Sequence, residues 1–210
     1  MKSKKQEGVD ELESSLRVFA SPDPVAWTAT RRRLAERAIA ADLVDVAFER
    51  HDSPLGALLL GATSVGLVRL GLPAEGEDAV LDELAQRISP RILCTAHDTV
   101  TRARHQLDEY FAGHRRSFDV ALDWQLTGGF RREVLRATAL IPFGATSSYR
   151  AVATAAGSPA AFRAAGSALA TNPLPIVVPC HRVLPASGGI GDYRGGAAAK
   201  ALLLELERAA

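Results

Sequence analysis

Cysteine is scarce in this sequence of 210 residues, in which only Cys94 and Cys180 occur. Two cysteines are too few for a disulfide framework, so we expect a protein of a reducing compartment, the cytoplasm. The amino terminus has no apolar h-region, which argues against a signal peptide. Every apolar stretch is broken well before the ~18–20 residues that a bilayer requires. These absences predict a soluble cytoplasmic chain that does not bind a membrane.

An excess of charge of either sign is also absent, because the sequence has 25 Lys and Arg and 24 Asp and Glu, for a net charge of +1. Residues 127–210 alone hold nine basic and four acidic residues. This mildly basic segment is compatible with a polyanionic partner, but a net of +5 is a weak argument for one. The apolar fraction of 47% and the charged fraction of 23% are typical of a globular protein. The length suffices for one large domain or two small ones.

The residue patterns divide the chain into three segments. They are an extension of unknown role over 1–47, an α/β domain over 48–126 and a carboxyl-terminal domain over 127–210. In the first two segments the patterns predict helices over 24–48, 77–88 and 98–112, a β-hairpin from the runs ALLLGA and VGLVRLGL, and a strand over 117–124.

The carboxyl-terminal segment is predicted to be helical and is rich in alanine. A helix over 130–141 is followed by a short helix that Thr146 or Ser147 can cap. Ser158, with a proline directly after it, favours the start of another short helix with the serine as N-cap. Two short helices joined in this way resemble a helix-turn-helix. After them, prolines and glycines exclude any long element until a final helix that begins near residue 197.

Cys180 stands in the run Pro-Cys-His-Arg, directly after an apolar stretch. One interpretation is a buried small hydrophobe, which is the usual fate of a free cysteine. The other is a reactive thiol, because a proline-rich loop holds an atom in place and neighbouring histidine and arginine favour the thiolate. The residues alone favour the reactive thiol and leave both interpretations open.

The stretch NPLPIVVPCHRVLPASGGIGDYRGGAAAKALLLELE resembles the active-site region of the O6-alkylguanine-DNA alkyltransferases. Their hallmark is a PCHR core with an Asn-Pro before it and a Gly-rich segment and a Lys-bearing helix after it. Upstream stretches resemble the family's helix-turn-helix and amino-terminal domain, so the likeness covers about residues 48–207. The resemblance implies an α/β amino-terminal domain with a short antiparallel sheet, followed by a mainly α-helical, winged-helix-like carboxyl-terminal domain.

The resemblance also implies roles for single residues. Cys180 is the alkyl acceptor, and Glu207 orients His181, which deprotonates the thiol through a water molecule. Tyr149 donates a hydrogen bond to the leaving guanine, and Asn172 links the recognition helix to the active-site loop. Without the resemblance, Glu207 would be an ordinary solvated carboxylate and Tyr149 a core tyrosine.

Arg163 resembles the family's arginine finger, which takes the place of a nucleotide flipped out of the duplex. Small neighbours allow this helix to approach the minor groove closely. The further DNA contacts implied are Ser158, Ala164, Ala165 and Gly166. The pocket for the alkylated base is implied around Val183, Tyr193 and Gly195.

The function implied is DNA repair by direct reversal, in which the alkyl group of O6-alkylguanine, or of O4-alkylthymine, is transferred irreversibly to Cys180 in a single turnover. The implied partner is double-stranded DNA carrying O6-alkylguanine, and the chain acts as a monomer without cofactor or metal. One alternative is an alkyltransferase-like damage-binding protein, although those relatives lack the acceptor cysteine. The other is a cysteine hydrolase, which needs a direct Cys–His pair that adjacent residues rarely form.

Three features depart from the family pattern or stand outside it. Cys94 and His97 have the spacing of half a zinc site, but a full set of four ligands is not evident. Leu135 stands where the family usually has a tryptophan. Arg150 follows Tyr149 where a small or polar residue is common, so we expect it to alter a DNA contact.

Overall fold

The computed structural model describes residues 24–186 and 188–209. Contacts divide the chain into two units, residues 1–43 and residues 44–210. None of the helices within the described ranges is both long enough and apolar enough to cross a bilayer.

The first unit contains helix α1, Pro24–Ala40. The predicted helix over 24–48 is too long, and the reason lies in how the chain turns after α1. Asp42 adopts a left-handed backbone (φ 52°), and the Leu43 amide donates to the Ala38 carbonyl at 2.9 Å. This geometry closes the last turn of a helix and prevents its continuation.

The second unit begins with a four-stranded sheet in the order β3-β2-β1-β4. The predicted β2–β3 hairpin is confirmed, and β1 pairs antiparallel with β2, whereas β4 joins the edge parallel to β1. The expected antiparallel sheet therefore has one parallel strand, which makes it mixed. The strands are β1 (Val46–His51), β2 (Leu58–Ala62), β3 (Leu67–Gly71) and β4 (Ile92–Cys94).

Two helices cover the two faces of this sheet. Helix α2 (Glu77–Arg87) packs on β3 and β4, and α3 (Asp98–Phe111) packs on β1, β2 and β3. Alternate residues of β2 enter different apolar clusters, Leu59 on the α2 side and Leu60 on the α3 side. Because both faces are covered, every residue of β2 and β3 is buried, and β2 is apolar throughout.

The predicted strand over 117–124 is wrong. Its strand-like pairing is a single bridge to the start of β3, where the Leu67 amide donates to the Ala121 carbonyl at 2.8 Å and the Asp123 amide donates to the Leu67 carbonyl at 2.9 Å. Beside this point the Asp123 carboxylate accepts from the Thr63 hydroxyl at 2.5 Å, which ties the segment to the end of β2 through side chains. The approach is close, since a Cβ at Gly66 would lie 2.5 Å from the Ala121 carbonyl oxygen.

The carboxyl-terminal part of this unit packs three helices, α4, α5 and α6, against one another. A short 3₁₀ helix, Cys180–Arg182, precedes β6, and β5 and β6 form a two-residue parallel pair. The elements are α4 (Gly129–Ala139), β5 (Ser147–Ser148), α5 (Tyr149–Ala155), α6 (Phe162–Ala170), β6 (Val183–Leu184) and α7 (Gly196–Ala209).

Both predicted helix caps in this region are displaced. Ser148, rather than Thr146 or Ser147, caps α5, because its hydroxyl oxygen accepts from the Ala151 amide at 3.1 Å. Ser158 does not cap α6: its carbonyl closes a turn with the Ala161 amide at 2.9 Å, and the helix starts one residue later. The helix pair itself and the fold class, an α/β domain followed by a mainly helical domain, are confirmed.

Candidate active site around Cys180

The loop from α6 to Cys180 is held rigidly. Pro173, Pro175 and Pro179 fix their own φ angles, and the Val178 amide donates to the Leu174 carbonyl at 2.8 Å. Between them, Ile176 is fully buried with φ at 73°. A β-branched residue rarely adopts the left-handed region, so the packing around the loop imposes a strained backbone there.

Cys180 is buried at the start of the 3₁₀ helix, with 5% of its surface exposed. The Asn172 side-chain amide donates to the Cys180 Sγ at 3.1 Å and to the Val178 carbonyl at 2.8 Å, while its oxygen accepts from the Leu174 amide at 3.0 Å. Burial raises the pKa of the Cys180 thiol to about 11, against the opposing effects of the Asn172 hydrogen bond and the Lys200 charge. Cys180 is therefore a neutral thiol at rest.

Lys200 lies fully buried in α7, and sequence reasoning assigned it no individual role. Its ammonium donates to the Val183 carbonyl at 2.9 Å and lies 3.5 Å from the Asp192 carbonyl. It thereby joins α7 to β6 and to the glycine-rich segment before α7, and it places a cation near the sulfur.

His181 and Glu207, predicted as a relay, are in direct contact. The imidazole Nε2 lies 2.8 Å from Glu207 Oε1, and the His181 side chain is fully buried. Because Nε2 faces a carboxylate, it carries the proton, and Nδ1 keeps its lone pair. Nδ1 is buried and has no hydrogen-bond partner in the described part of the chain. Burial lowers the pKa of His181 despite the Glu207 carboxylate, so the ring is a neutral base at neutral pH.

Glu207 is the centre of a hydrogen-bond network that joins four elements. Oε1 accepts from the Tyr110 hydroxyl at 2.7 Å and from Arg182 Nη2 at 2.8 Å, and Oε2 accepts from Arg182 Nε at 2.8 Å and from the Gly144 amide at 3.1 Å. Burial alone would raise the pKa of Glu207, but the hydrogen bonds from His181 and Arg182 outweigh it and hold that pKa well below its ordinary range. Sequence reasoning placed Tyr110 only on an apolar helix face and missed its hydroxyl.

A cavity of about 290 Å³ opens over Cys180, close to the lower end of the range for small-molecule pockets. Tyr149 forms one wall of the cavity. Its pKa is raised, mainly by burial and further by the Asp192 and Cys180 charges. The Tyr193 hydroxyl is buried and unpartnered within the described chain. The residues lining the cavity are Tyr149, Gly166, Ser167, Leu169, Ala170, Cys180, Asp192 and Tyr193.

Two predicted pocket residues lie beside this cavity and support its wall. Val183 is buried and offers its carbonyl to Lys200. Gly195 is closely packed, because a Cβ there would lie 3.0 Å from both Leu72 and Tyr193. Any larger residue at position 195 would therefore displace the Tyr193 ring that lines the cavity.

The predicted DNA-contacting residues lie on different faces of α6 and in the turn before it. Arg163 and Ala164 are exposed and Ser158 is partly exposed, whereas Ala165 is fully buried in the core and Gly166 lines the cavity. The guanidinium carbons of Arg150 and Arg163 lie 5.2 and 5.8 Å from the centre of the Phe162 ring. The departure at Arg150 thus places a second cation beside the predicted arginine finger.

Cys94 and His97, which have the spacing of half a zinc site, have other surroundings in the structure. Cys94 is exposed, and His97 caps α3, its Nδ1 accepting from the Thr99 amide at 3.2 Å. Across the described ranges, no group of three or more His, Cys, Asp or Glu is arranged to hold a metal ion.

The helix pair α5–α6 resembles a helix-turn-helix, and the buried Cys180 lines the cavity beside it. These features fit the class of proteins that act on DNA through a thiol. Two family models match the chain: the 6-O-methylguanine DNA methyltransferase ribonuclease-like domain over residues 47–124 and the DNA binding domain of the same name over residues 129–209. The chain belongs to this 6-O-methylguanine DNA methyltransferase family, which confirms the resemblance seen in the sequence.

Relatives and solved structures agree with this assignment. Methylated-DNA–protein-cysteine methyltransferase of Mycolicibacterium paratuberculosis is 39% identical over 78% of this chain and 93% of that protein. The inducible enzyme of that name from Bacillus subtilis is 34% identical over 72% of this chain and 84% of that protein. The structure of Mycobacterium tuberculosis OGT in complex with DNA is 36% identical, with a TM-score of 0.65, over 78% of this chain and 93% of that chain.

Proposed function

We propose that this protein repairs DNA by direct reversal, moving the alkyl group from O6 of guanine in double-stranded DNA to Cys180 Sγ. The observation that carries the proposal is that Cys180 lines the cavity and is followed in the chain by a neutral His181, whose Nδ1 is unpartnered in the described chain. The methyltransferase relatives supply the substrate class. O4-alkylthymine is the second substrate of the proposal.

The first step is removal of the thiol proton. With a pKa of about 11, Cys180 is protonated at rest and needs a base. His181 Nδ1 takes that proton through a bridging water, because adjacent side chains of the 3₁₀ helix point in different directions. The Glu207 carboxylate then stabilises the imidazolium, and Asn172 and Lys200 stabilise the thiolate.

The second step is displacement at the alkyl carbon. The Sγ–C bond forms as the C–O6 bond breaks, and the guanine leaves with the electron pair of that bond. The Tyr149 hydroxyl, whose raised pKa keeps it protonated, donates to the leaving base, and the proton removed from the thiol balances the charge of the products. The thioether that remains cannot be hydrolysed, and exposed Cys94 lies in the amino-terminal domain, so each molecule reacts once.

Delivery of the base requires the duplex to open. In this proposal α6 lies along the minor groove, and exposed Arg163 occupies the space that the flipped nucleotide leaves. We further propose that the protein acts as a monomer in the cytoplasm, that residues 48–126 and 127–210 form its two domains, and that residues 1–47 lie outside the reacting machinery.

The test is incubation with duplex DNA that contains one O6-methylguanine, followed by mass analysis of the Cys180 peptide. We expect a stable gain of one methyl group on Cys180, no gain in Cys180→Ser, and an unchanged gain in Cys94→Ser, the matched control. Cys180→Ser should still bind the duplex, because phosphate contacts lie elsewhere. Duplex binding without any adduct on the native chain would instead identify a damage-binding protein.

A further inference from the structure

Three consecutive backbone carbonyls, those of residues 171–173, join the end of α6 to the loop that carries Cys180. Each of them is contacted by an arginine from a different part of the chain: α4, the glycine-rich segment before α7, and β3. The pairs are Arg131 with the Thr171 carbonyl, Arg194 with the Asn172 carbonyl at 3.5 Å, and Arg69 with the Pro173 carbonyl at 3.4 Å.

Two glutamates connect two of these arginines to each other. Glu75 forms ion pairs with Arg69 and, at 2.5 Å, with Arg194. Glu83 lies 3.1 Å from Arg69 and 3.8 Å from Arg194. The Arg69 side chain is fully buried and Glu75 is 7% exposed, so the ion pairs hold a defined geometry in the absence of competing solvent.

Arg131 belongs to the same electrostatic cluster. The pKa of Arg131 is lowered, mainly by burial and next by repulsion from the Arg87 charge. The Arg194 and Arg69 charges lower it further, and the Glu83 carboxylate opposes these effects. The backbone adds a further anchor, because the Leu70 amide of β3 donates to the Pro173 carbonyl at 2.8 Å. The segment is thus fixed from both domains at once.

The residue in the middle of the segment is Asn172. Its carbonyl faces Arg194, while its side-chain amide donates to the acceptor sulfur on the other side of the loop. A rotation of the 171–173 backbone would move the side-chain amide nitrogen, which now lies 3.1 Å from Sγ, and so lengthen or misalign this hydrogen bond. The position of the three carbonyls therefore determines whether the hydrogen bond to sulfur exists.

We propose that Arg69, Arg131 and Arg194 are positioning residues for the reaction at Cys180: they fix the carbonyls of residues 171–173 and so aim the Asn172 amide at the acceptor sulfur. Their relevance to repair rests on the proposed function. The effect of these arginines on the Asn172 hydrogen bond can be measured from the titration of the Cys180 thiol, independently of any alkyl transfer from DNA.

The test is the pH dependence of iodoacetamide alkylation of Cys180, measured in the Cys94→Ser chain. Arg131→Met should raise the thiol pKa by about half a unit, which lowers the thiolate fraction below that pKa about threefold. Arg194→Met should act in the same direction. Arg104→Met, which breaks the Glu49 ion pair of α3 and β1, is the matched control and should leave the titration unchanged.

The Asn172→Ala background separates positioning from a direct electrostatic effect of the lost cation. If the arginine acts through Asn172, Arg131→Met should cause no further shift in that background. An equal shift in both backgrounds, or no shift in either, would overturn the proposal. Arg131 is partly exposed, so this variant remains informative even if Arg69→Met, which empties a buried site, does not fold.

The same samples distinguish this proposal from the proposed function. Transfer from O6-methylguanine DNA by Arg131→Met should fall by about the same threefold as the thiolate fraction. A shifted thiol titration in a chain that never accepts methyl from DNA would refute the repair function and leave the positioning role standing.

Discussion

Glu207 is the single residue on which most of the candidate site depends. It accepts from Tyr110, Gly144, His181 and Arg182, and its charge balances the buried Arg182 guanidinium. Glu207→Gln keeps the shape but removes that charge and places an amide against four donors. We expect transfer to slow on the order of 10²-fold, the lower end of what acid–base catalysis contributes. Unfolding should become easier by roughly 3–5 kcal/mol, as for other broken buried ion pairs.

Single-turnover rates and urea unfolding measure these two effects. Glu205→Gln is the matched control, because Glu205 is an exposed carboxylate on the same helix. If Glu207→Gln transferred methyl at the native rate, Glu207 would have no part in activating the thiol.

Cys180 predicts a specific loss of stability in alkaline solution. Its pKa of about 11 in the folded state exceeds the ordinary 9.0, so the folded chain binds the thiol proton more tightly than the unfolded chain. The resulting stabilisation is complete below pH 9 and is lost as the pH rises from 9 to 11, and it amounts to about 2–3 kcal/mol. We expect the free energy of unfolding to fall more steeply over this range in the native chain than in Cys180→Ser. Parallel curves would show that the thiol is not desolvated.

At the scale of single elements, α6 carries the next prediction. Arg163→Ala should weaken transfer from duplex DNA far more than transfer from free O6-benzylguanine, because a free base leaves no gap for the arginine to fill. The ratio of the two second-order rate constants is the measurement. Arg102→Ala, which removes an exposed arginine from α3, should leave that ratio unchanged. Equal losses on both substrates would exclude the finger role.

The sequence predicted most elements correctly where local patterns decide them. The amphipathic helices α2, α3 and α4 and the β2–β3 hairpin follow from residue periodicity alone. The segment 117–124 has an apolar, strand-like composition. Its backbone nevertheless forms only one bridge, to Leu67, and the Asp123 carboxylate accepts from the Thr63 hydroxyl. A tertiary contact of this kind leaves no signal in the local pattern.

In the candidate site, too, local motifs were predicted from the sequence and long-range contacts were not. The PCHR motif identified Cys180 and His181, because their chemistry is local to the loop. Tyr110 was read as part of an apolar stripe, although its hydroxyl reaches Glu207 across 97 positions of sequence. Lys200 was likewise read only as part of a helix, and its burial against the Val183 carbonyl follows from packing. Long-range hydrogen bonds to a buried charge cannot be inferred from spacing.

For the whole molecule, the division into two contact units predicts that the extension is dispensable for the chemistry. Deletion of residues 1–43 leaves β1 complete and retains Asp45, whose carboxylate pairs with Arg91. We expect the truncated chain to transfer methyl from an oligonucleotide at a rate within about twofold of the full chain, since termini outside a core are generally tolerated. A large rate loss in a truncation with an unchanged melting temperature would assign the extension a role in the reaction.

Alkylation of Cys180 should destabilise the entire unit. The added methyl group is held on the sulfur of a residue that is only 5% exposed, and it crowds the Asn172 amide that donates to that sulfur. Overpacking costs ~1–3 kcal/mol, which corresponds to a fall of roughly 2–10 °C in melting temperature at this size. Thermal melts and limited proteolysis before and after stoichiometric reaction with O6-benzylguanine measure the change, with Cys180→Ser as the unreacted control. A reacted chain as stable and as resistant as the free one would contradict this.

The raised pKa of Cys180 also bears on how long a molecule stays usable in a cell. A reagent that reacts once is lost to any electrophile that reaches it first, and reactive thiols are the usual targets of oxidants and soluble alkylating agents. At neutral pH a thiol with a pKa of about 11 is a thiolate in about one molecule in ten thousand, and only 5% of the residue is open to solvent. The burial that makes proton removal necessary for repair thus also protects the sulfur, because both its low thiolate fraction and its small exposure slow attack on such electrophiles.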